Sequence, residues 1–450
     1  MPVYTCEVCS ENFSKKSLYN AHLKNCKATP NAKEKENILP MKFIDLCCGI
    51  GGFHQALRNI GFECVMASDI DEKCRQNYEE NYNIAPEGDF TKIEAENIPS
   101  FNILCAGFPC QPFSKAGEQK GFDDNRGNIF FDICRIVKHH KPEYIILENV
   151  RNLATHDDKN TWDVIYSSLD KLNYHTYEKP VILNTLYFGV PQSRERVVIL
   201  CKRKDLGELP TLPKISKHNI QYTNLETIID DNVLNKYNLN KKLKVVEKVW
   251  DSFLERCHLN NTQIPRFPIW TDWWDSDGDN TTVTAHKKNL SSAENEINIA
   301  KNQQLFYIKY KKWIDDNREF YETNKAFLEP WLLKSRKEPL WAGAVRKMEW
   351  QTGDNDLTMN QVLWSPRGSG VRIKKTDYSP TLVAMASMIP IYGPKSRMLT
   401  PRECARLQSF PEDYIIHPDD RISYKQFGNA VNVKMIEQSA RFLINNESLF

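Results

Sequence analysis

The chain has 450 residues, 41% apolar and 26% charged, with a net charge of +2. This is an ordinary globular composition with length for two or three domains, and its near-neutral charge neither demands nor excludes a nucleic-acid partner. No stretch is apolar for the length of a membrane span, and MPVYTCEVCS carries no charged-then-apolar leader. The expectation is therefore a cytoplasmic chain with no membrane partner. Its 13 cysteines are then reduced, serving as core, metal ligand or nucleophile.

Cys6-x2-Cys9-x12-His22-x3-Cys26 has the spacing of a ββα zinc finger, with Cys26 in place of the second histidine. Phe13 stands where such a finger puts its core aromatic. Three thiolates and one imidazole would close a tetrahedral structural zinc site within residues 1–28. A disordered tail with chance cysteines is the plainer alternative. The base-facing positions of such a finger hold Lys15, Leu18 and Ala21, which are poor base readers, so a phosphate or protein contact is expected. Residues 29–40 are polar, charged and proline-bounded, and read as a linker.

MKFIDLCCGIGGFHQALRNIG, residues 41–61, begins as an apolar strand and breaks at Gly49, Gly51 and Gly52. It resumes with Phe53, Ala56, Leu57 and Ile60 at helical spacing. Glycines at such a step let backbone approach a ligand closely, although a glycine loop alone is a weak signal. ECVMASDID is a second strand ending at Asp69, with Ile70 beside it, where an acidic residue takes a ribose hydroxyl in a doubly wound fold. Asp89 follows a further segment and is a candidate to face an adenine. NILCA, NIFFDICRIVKHH and YIILENV continue the alternation, which implies a mostly parallel sheet with helices on both faces.

The loop GFPCQPFSKAG sets Cys110 between Pro109 and Gln111. Most cysteines are small buried hydrophobes, and this one alone decides little. The motifs together decide more. FIDLCCGIGGF, GFPCQPFS, ENV, QSRER, RMLTPRECARLQSFP and GNAV occur in this order. The chain thereby resembles the cytosine-5 DNA methyltransferases over about residues 41–204 and 377–445.

The resemblance implies that Cys110 is a nucleophile toward C6 of a flipped cytosine, held in attack geometry by Pro109 and Pro112. It implies that Glu148 binds the exocyclic amino group and N3. GVPQSRERVVIL reads as a strand that puts Gln192, Arg194 and Arg196 on one face. Arg196 is the candidate for the cytosine O2, Arg194 for orienting Glu148 or the nucleophile loop, and Gln192 for a DNA contact. Asp45, Cys47, Gly49, Gly51, Gly52, Asp69, Ile70, Asp89, Phe90, Pro109, Asn429 and Ala430 would surround S-adenosylmethionine. The family commonly has an aromatic residue where Cys47 stands, so Phe90 is the alternative stacking partner for adenine. SKAGEQKGFDDNRGN resembles the family's mobile loop, and Gln111, Ser114, Lys115 and Arg126 are its candidate DNA contacts. No side chain is an obvious base for the C5 proton.

From about residue 205 to 365 the alternation stops and aromatics and lysines accumulate. The resemblance makes this the target-recognition region, with Arg346, Lys347, Gln351, Arg367 and Arg372 as candidate base readers. Thr400-Pro401-Arg402-Glu403 is a capping box that starts a helix. The expected fold is α/β: a Rossmann-like S-adenosylmethionine-dependent methyltransferase domain over 41–204, a target-recognition domain over 205–420, and a helix over 421–450 that returns to the first. The expected partner is double-stranded DNA, the enzyme a monomer, and a cognate restriction endonuclease encoded nearby. A tRNA cytosine-5 methyltransferase of the same fold and a non-catalytic DNA-binding protein are the alternatives.

Overall fold

The computed structural model describes residues 4–5, 12–13, 40–109, 129–221, 223–274, 293–353 and 356–450, with backbone alone at 4–5, 12–13, 157–158 and 293–307. The expected zinc ligands Cys6, Cys9, His22 and Cys26 lie outside the described residues, as do Cys110, Gln111, Ser114, Lys115 and Arg126. Residues 1–41 and 42–450 form separate units. In the first, β1 (Tyr4–Thr5) pairs antiparallel with β2 (Asn12–Phe13), setting Tyr4 opposite Phe13.

The second unit starts with β3 (Lys42–Leu46), α1 (Gly52–Asn59), β4 (Glu63–Ser68), α2 (Glu72–Tyr82), β5 (Ile103–Gly107), α3 (Ile129–His140), β6 (Tyr144–Val150) and α4 (Asn160–Lys171). The four strands are parallel, in the order β4-β3-β5-β6. Parallel strands covered on both faces read as continuous apolar runs, and β6 buries Ile145, Ile146 and Leu147 in succession. Helical spacing brings Phe53, Ala56 and Leu57 of α1 to the core. Each large side chain there contributes about 1.5–3 kcal/mol.

The far edge of this seven-stranded sheet is antiparallel. After β7 (Tyr174–Thr176), β8 (Val181–Asn184) and the short β9 (Gln192–Ser193), β10 (Glu195–Arg203) inserts beside β6. The expected single strand over 189–200 is thus two pieces, because β9 leaves this sheet to pair with β15 (Ser379–Pro380).

The second lobe holds α5 (Lys241–Leu259), α6 (Ala293–Thr323) and α7 (Lys325–Ser335). Its six-stranded sheet has the order β11 (Ile269–Trp270), β12 (Lys347–Trp350), β14 (Gly370–Lys374), β13 (Leu363–Arg367), β16 (Ile391–Tyr392) and β17 (Arg397–Met398). Its core is aromatic, with Trp250, Phe253, Trp331, Trp341 and Trp364 all buried. The core ends at Ile391 and the sheet at β17 (Arg397–Met398). α8 (Pro401–Leu407) follows, begun by Thr400, whose hydroxyl accepts from the Glu403 amide while Glu403 accepts from the Thr400 amide. Glu403 also takes both arms of Arg397, at 2.6 and 2.9 Å. Residues 401–420, expected in the second lobe, touch both lobes, Glu403 through Arg397 and Tyr414 through the glycine loop. Tyr414 donates to the Ile50 carbonyl at 2.9 Å. α9 (Asp420–Asn429) and α10 (Val433–Asn445) complete the chain, and α10 packs on α1.

Candidate active site

The loop after β3 lies in the left-handed region at Cys47 (φ 52°), Gly49 (φ 52°) and Gly51 (φ 84°). A β-carbon on Gly49 would meet only open space, whereas one on Gly51 would strike the Tyr82 ring and one on Gly52 the Val431 carbonyl. Gly49 is therefore the glycine with open space beside it. The other two allow close packing of α1 beneath it. Asp69, at the end of β4, accepts from the Gly49 amide at 2.8 Å and from the Asp71 amide at 2.8 Å.

A cavity of about 450 Å³ opens above these strand ends. Cys47, Gly49, Asp69, Ile70, Asp89, Phe90, Pro109, Asn429 and Ala430 line it, together with Glu148, Arg194 and Arg196. Asp45, Gly51 and Gly52, expected among the cofactor contacts, do not. Asp45 is fully buried behind the loop, and burial pushes its carboxyl well above the usual range. Burial also raises the Cys47 thiol to about 12, with Asp69, Asp45 and Asp89 adding to it. Burial, with Asp69 and Asp71 adding to it, raises Cys74 to about 12. Hydrogen bonds from Lys425 and Thr91 hold the carboxyls of Asp71 and Asp89 below the usual range, and their negative charge on the cavity wall favours a positive ligand. S-adenosylmethionine carries a sulfonium and an ammonium group, and the residues present fit it.

Glu148 lies at the end of β6, 8% exposed. The antiparallel register sets Arg196 opposite Val150, two residues from the Val198–Glu148 pair. Arg196 Nε reaches Glu148 Oε1 at 2.8 Å. This is an ion pair without hydrogen-bonding alignment, so Oε1 keeps its hydrogen-bonding capacity for another group. Asn149 beside it donates through Nδ2 to the Phe108 carbonyl at 2.9 Å. The ENV motif contains this asparagine, but its partner, the Phe108 carbonyl, lies 41 residues away in sequence.

Arg194 differs from expectation. It is 1% exposed and donates to the carbonyls of Leu382, Gly428 and Ala430, at 2.8–3.2 Å, rather than to Glu148. Burial, with Arg196 nearby, lowers its pKa to about 9. It fixes the Gly428–Ala430 turn that walls the cavity. Gln192, expected to touch DNA, is fully buried and spends both ends of its amide on backbone, donating to Leu407 and accepting from Leu382, each at 2.9 Å. It has no surface to offer.

Other lining residues went unnamed in the sequence. Lys425 of α9 pairs with Asp71 at 2.8 Å, and Gln426 donates to the Lys73 carbonyl. Their signal was faint, since they follow no strand and precede GNAV. Among the candidate base readers, Arg346 pairs with Asp272 at 3.2 Å, and Lys347 Nζ lies 3.4 Å from the centre of the Trp270 ring. Gln351 and Arg372 both donate to Glu349. Among the described residues no group of three or more His, Cys, Asp or Glu side chains is arranged to hold a metal, and no helix is long and apolar enough to cross a membrane.

A family model for C-5 cytosine-specific DNA methylases matches residues 41–445. Type II methyltransferase M.HhaI of Haemophilus parahaemolyticus is 32% identical over 409 residues, covering 91% of this chain and 95% of that protein. Type II methyltransferase M.HgiCI of Herpetosiphon aurantiacus is 33% identical over 427 residues, covering 88% and 96%. Type II methyltransferase M.BanI of Aneurinibacillus aneurinilyticus is 31% identical over 444 residues, covering 91% and 96%.

Proposed function

The chain belongs to the C-5 cytosine-specific DNA methylase family, and from that membership we propose that it methylates a flipped cytosine within a specific duplex sequence through a transient bond from Cys110 to C6. We infer that it serves as the modification partner of a restriction endonuclease, as its type II relatives' names imply.

C5 of cytosine is a poor nucleophile. Addition of the Cys110 thiolate to C6 displaces the ring electrons toward N3 and leaves C5 enamine-like. Glu148 gives N3 a proton and accepts from the exocyclic amine, stabilising the charge as it develops. Arg196 holds that carboxyl from one side and presents its remaining donors to the ring oxygen O2. S-adenosylmethionine, when bound, supplies an electrophilic methyl. Gly49, Asp69, Asp89 and Phe90 would hold its nucleoside, with Asn429 and Ala430 closing the cavity. N3 returns its proton to Glu148, and water takes the C5 proton as the Cys110 sulfur leaves, restoring the ring, the acid and the thiolate. The base is reached outside the helical stack, at a cost of a few kcal/mol.

One juxtaposition carries the reading. The Glu148–Arg196 pair lines the same cavity as the glycine loop, and Pro109, the residue before Cys110, lines it too. Labelled-methyl transfer into duplex DNA, compared with transfer into tRNA, tests it, and label in tRNA alone would overturn it. Cys110→Ser should also abolish covalent trapping by 5-fluorocytosine DNA. For residues 1–28 we propose a structural zinc site at Cys6, Cys9, His22 and Cys26. The antiparallel β1–β2 pair supports it. One zinc per chain, lost in Cys6→Ser, is the expected result of metal analysis.

A further inference from the structure

A second cavity, also about 450 Å³, lies beside the first, and Val150 and Arg196 line both. One wall is the hairpin of β13 (Leu363–Arg367) and β14 (Gly370–Lys374). Its register sets Leu363 opposite Lys374, Ser365 opposite Arg372 and Arg367 opposite Gly370. Alternation therefore sends Trp364, Val371 and Ile373 into the aromatic core and gathers Arg367, Arg372 and Lys374 on the other face. All three of these cations line the cavity, with Arg151 and Arg196 across from them.

The charges are unevenly matched. Arg151 pairs with Glu195 at 2.6 Å, Arg196 with Glu148 at 2.8 Å and Arg372 with Glu349 at 2.9 Å. Arg367 and Lys374 have no ion-pair partner among the described residues, and the Arg367 Nε is buried without a hydrogen-bond partner. Burial and then the charge of Arg372 hold the pKa of each below its ordinary value, with Arg367 adding to the effect on Lys374. The carboxylate whose field reaches both is Glu349, which is already taken by Arg372, and Lys374 Nζ lies 5.4 Å from the centre of the Tyr378 ring, so three cations share one carboxylate.

We propose that Arg367 and Lys374 bind a backbone phosphate of the substrate DNA adjacent to the target cytosine. The inference rests on the methyltransferase reading. A flipped nucleotide stays joined to its strand by two phosphodiesters, and this cavity adjoins the one proposed to receive its base. Two unpaired cations call for a full negative charge, which a phosphate has and a guanine edge lacks. Sequence had offered Arg367 and Arg372 as base readers. The pairing of Arg372 with Glu349 and the charge around Arg367 favour the phosphate for this site.

The experiment uses the full-length enzyme and a duplex carrying the site that bisulfite sequencing identifies. For the double variant Arg367→Met, Lys374→Met, the slope of log affinity against log salt should fall by about 0.9, the share of one phosphate, with the set of methylated sequences unchanged. A neutral methylphosphonate at the phosphates flanking the target should weaken wild-type binding and leave the double variant unaffected. S-adenosylmethionine affinity is the folding control, and Lys374→Gln carries the test if Arg367→Met does not fold. An unchanged slope overturns the proposal, as does a relaxed recognition sequence, which would make Arg367 a base reader. A wild type that binds DNA but methylates none of it overturns the functional reading instead, while the salt slope still decides the phosphate site.

Discussion

Asn149 donates to the Phe108 carbonyl across 2.9 Å, which ties the end of β6 to the backbone two residues before Cys110. Together with the β5–β6 pairing that sets Gly107 beside Glu148, this amide joins the strand bearing the carboxylate to the segment that leads to the proposed nucleophile. Asn149→Ala leaves that buried carbonyl unsatisfied and should cost about 1–3 kcal/mol of stability. A displacement of the loop by an ångström should lower single-turnover methyl transfer about 10²-fold. S-adenosylmethionine affinity, measured by calorimetry, should hardly change.

Glu148→Gln retains the shape and removes the proton. The expected fall in kcat is about 10²–10⁴-fold, with little effect on DNA or cofactor affinity. Arg196→Lys keeps a charge near Glu148 without the planar fork, and should cost less than Glu148→Gln. Steady-state kinetics on a defined duplex separates kcat from KM for both.

The two glycines of the first loop should answer differently to alanine. Gly51→Ala combines a left-handed φ with a collision against Tyr82, and should destabilise by about 2–5 kcal/mol. Gly49→Ala should cost about 1–2 kcal/mol, since its β-carbon meets nothing. That methyl should instead weaken S-adenosylmethionine binding about tenfold. Urea midpoints and ligand titration distinguish the two.

His54 is on the buried face of α1, with Nδ1 2.7 Å from the Tyr78 hydroxyl and its ring stacked on Tyr82 at 3.9 Å. Burial, helped by Arg58, lowers its pKa to about 3. In the unfolded chain the imidazole titrates near about 6.5, so the unfolded state binds more protons between the two values. Its contribution is fully present above about pH 6.5 and is lost as pH falls toward about 3. At about pH 5 the loss should be about 1–2 kcal/mol. Urea unfolding of wild type and His54→Gln at neutral and acidic pH checks this, and the variant should lose less stability on acidification.

Local signals carried the first half of the fold well. The strand–loop–helix at 42–59 and the capping box at Thr400 are written in neighbouring residues, and both form. Contacts across long stretches of chain were not legible. Gln192 looked like an exposed strand residue because its partners, Leu382 and Leu407, lie 190 and 215 residues further on. Two-residue alternation put Arg194 and Arg196 on one side, but the antiparallel register with β6 decides which of them meets Glu148. That register depends on a strand reversal that leaves no periodicity to read. The roles of the three glycines depended likewise on Tyr82 and Val431, which only the folded chain brings near.

The turn at Gly428–Ala430, held by Arg194, has a temporal consequence. Translation delivers the sheet, the carboxylate and the second lobe before it delivers this last wall. A ribosome-bound chain, or one nicked ahead of residue 428, owns the chemistry but has an open-sided chamber for its methyl donor. The cavity therefore takes one of its walls from residues translated long after the strand that carries Glu148.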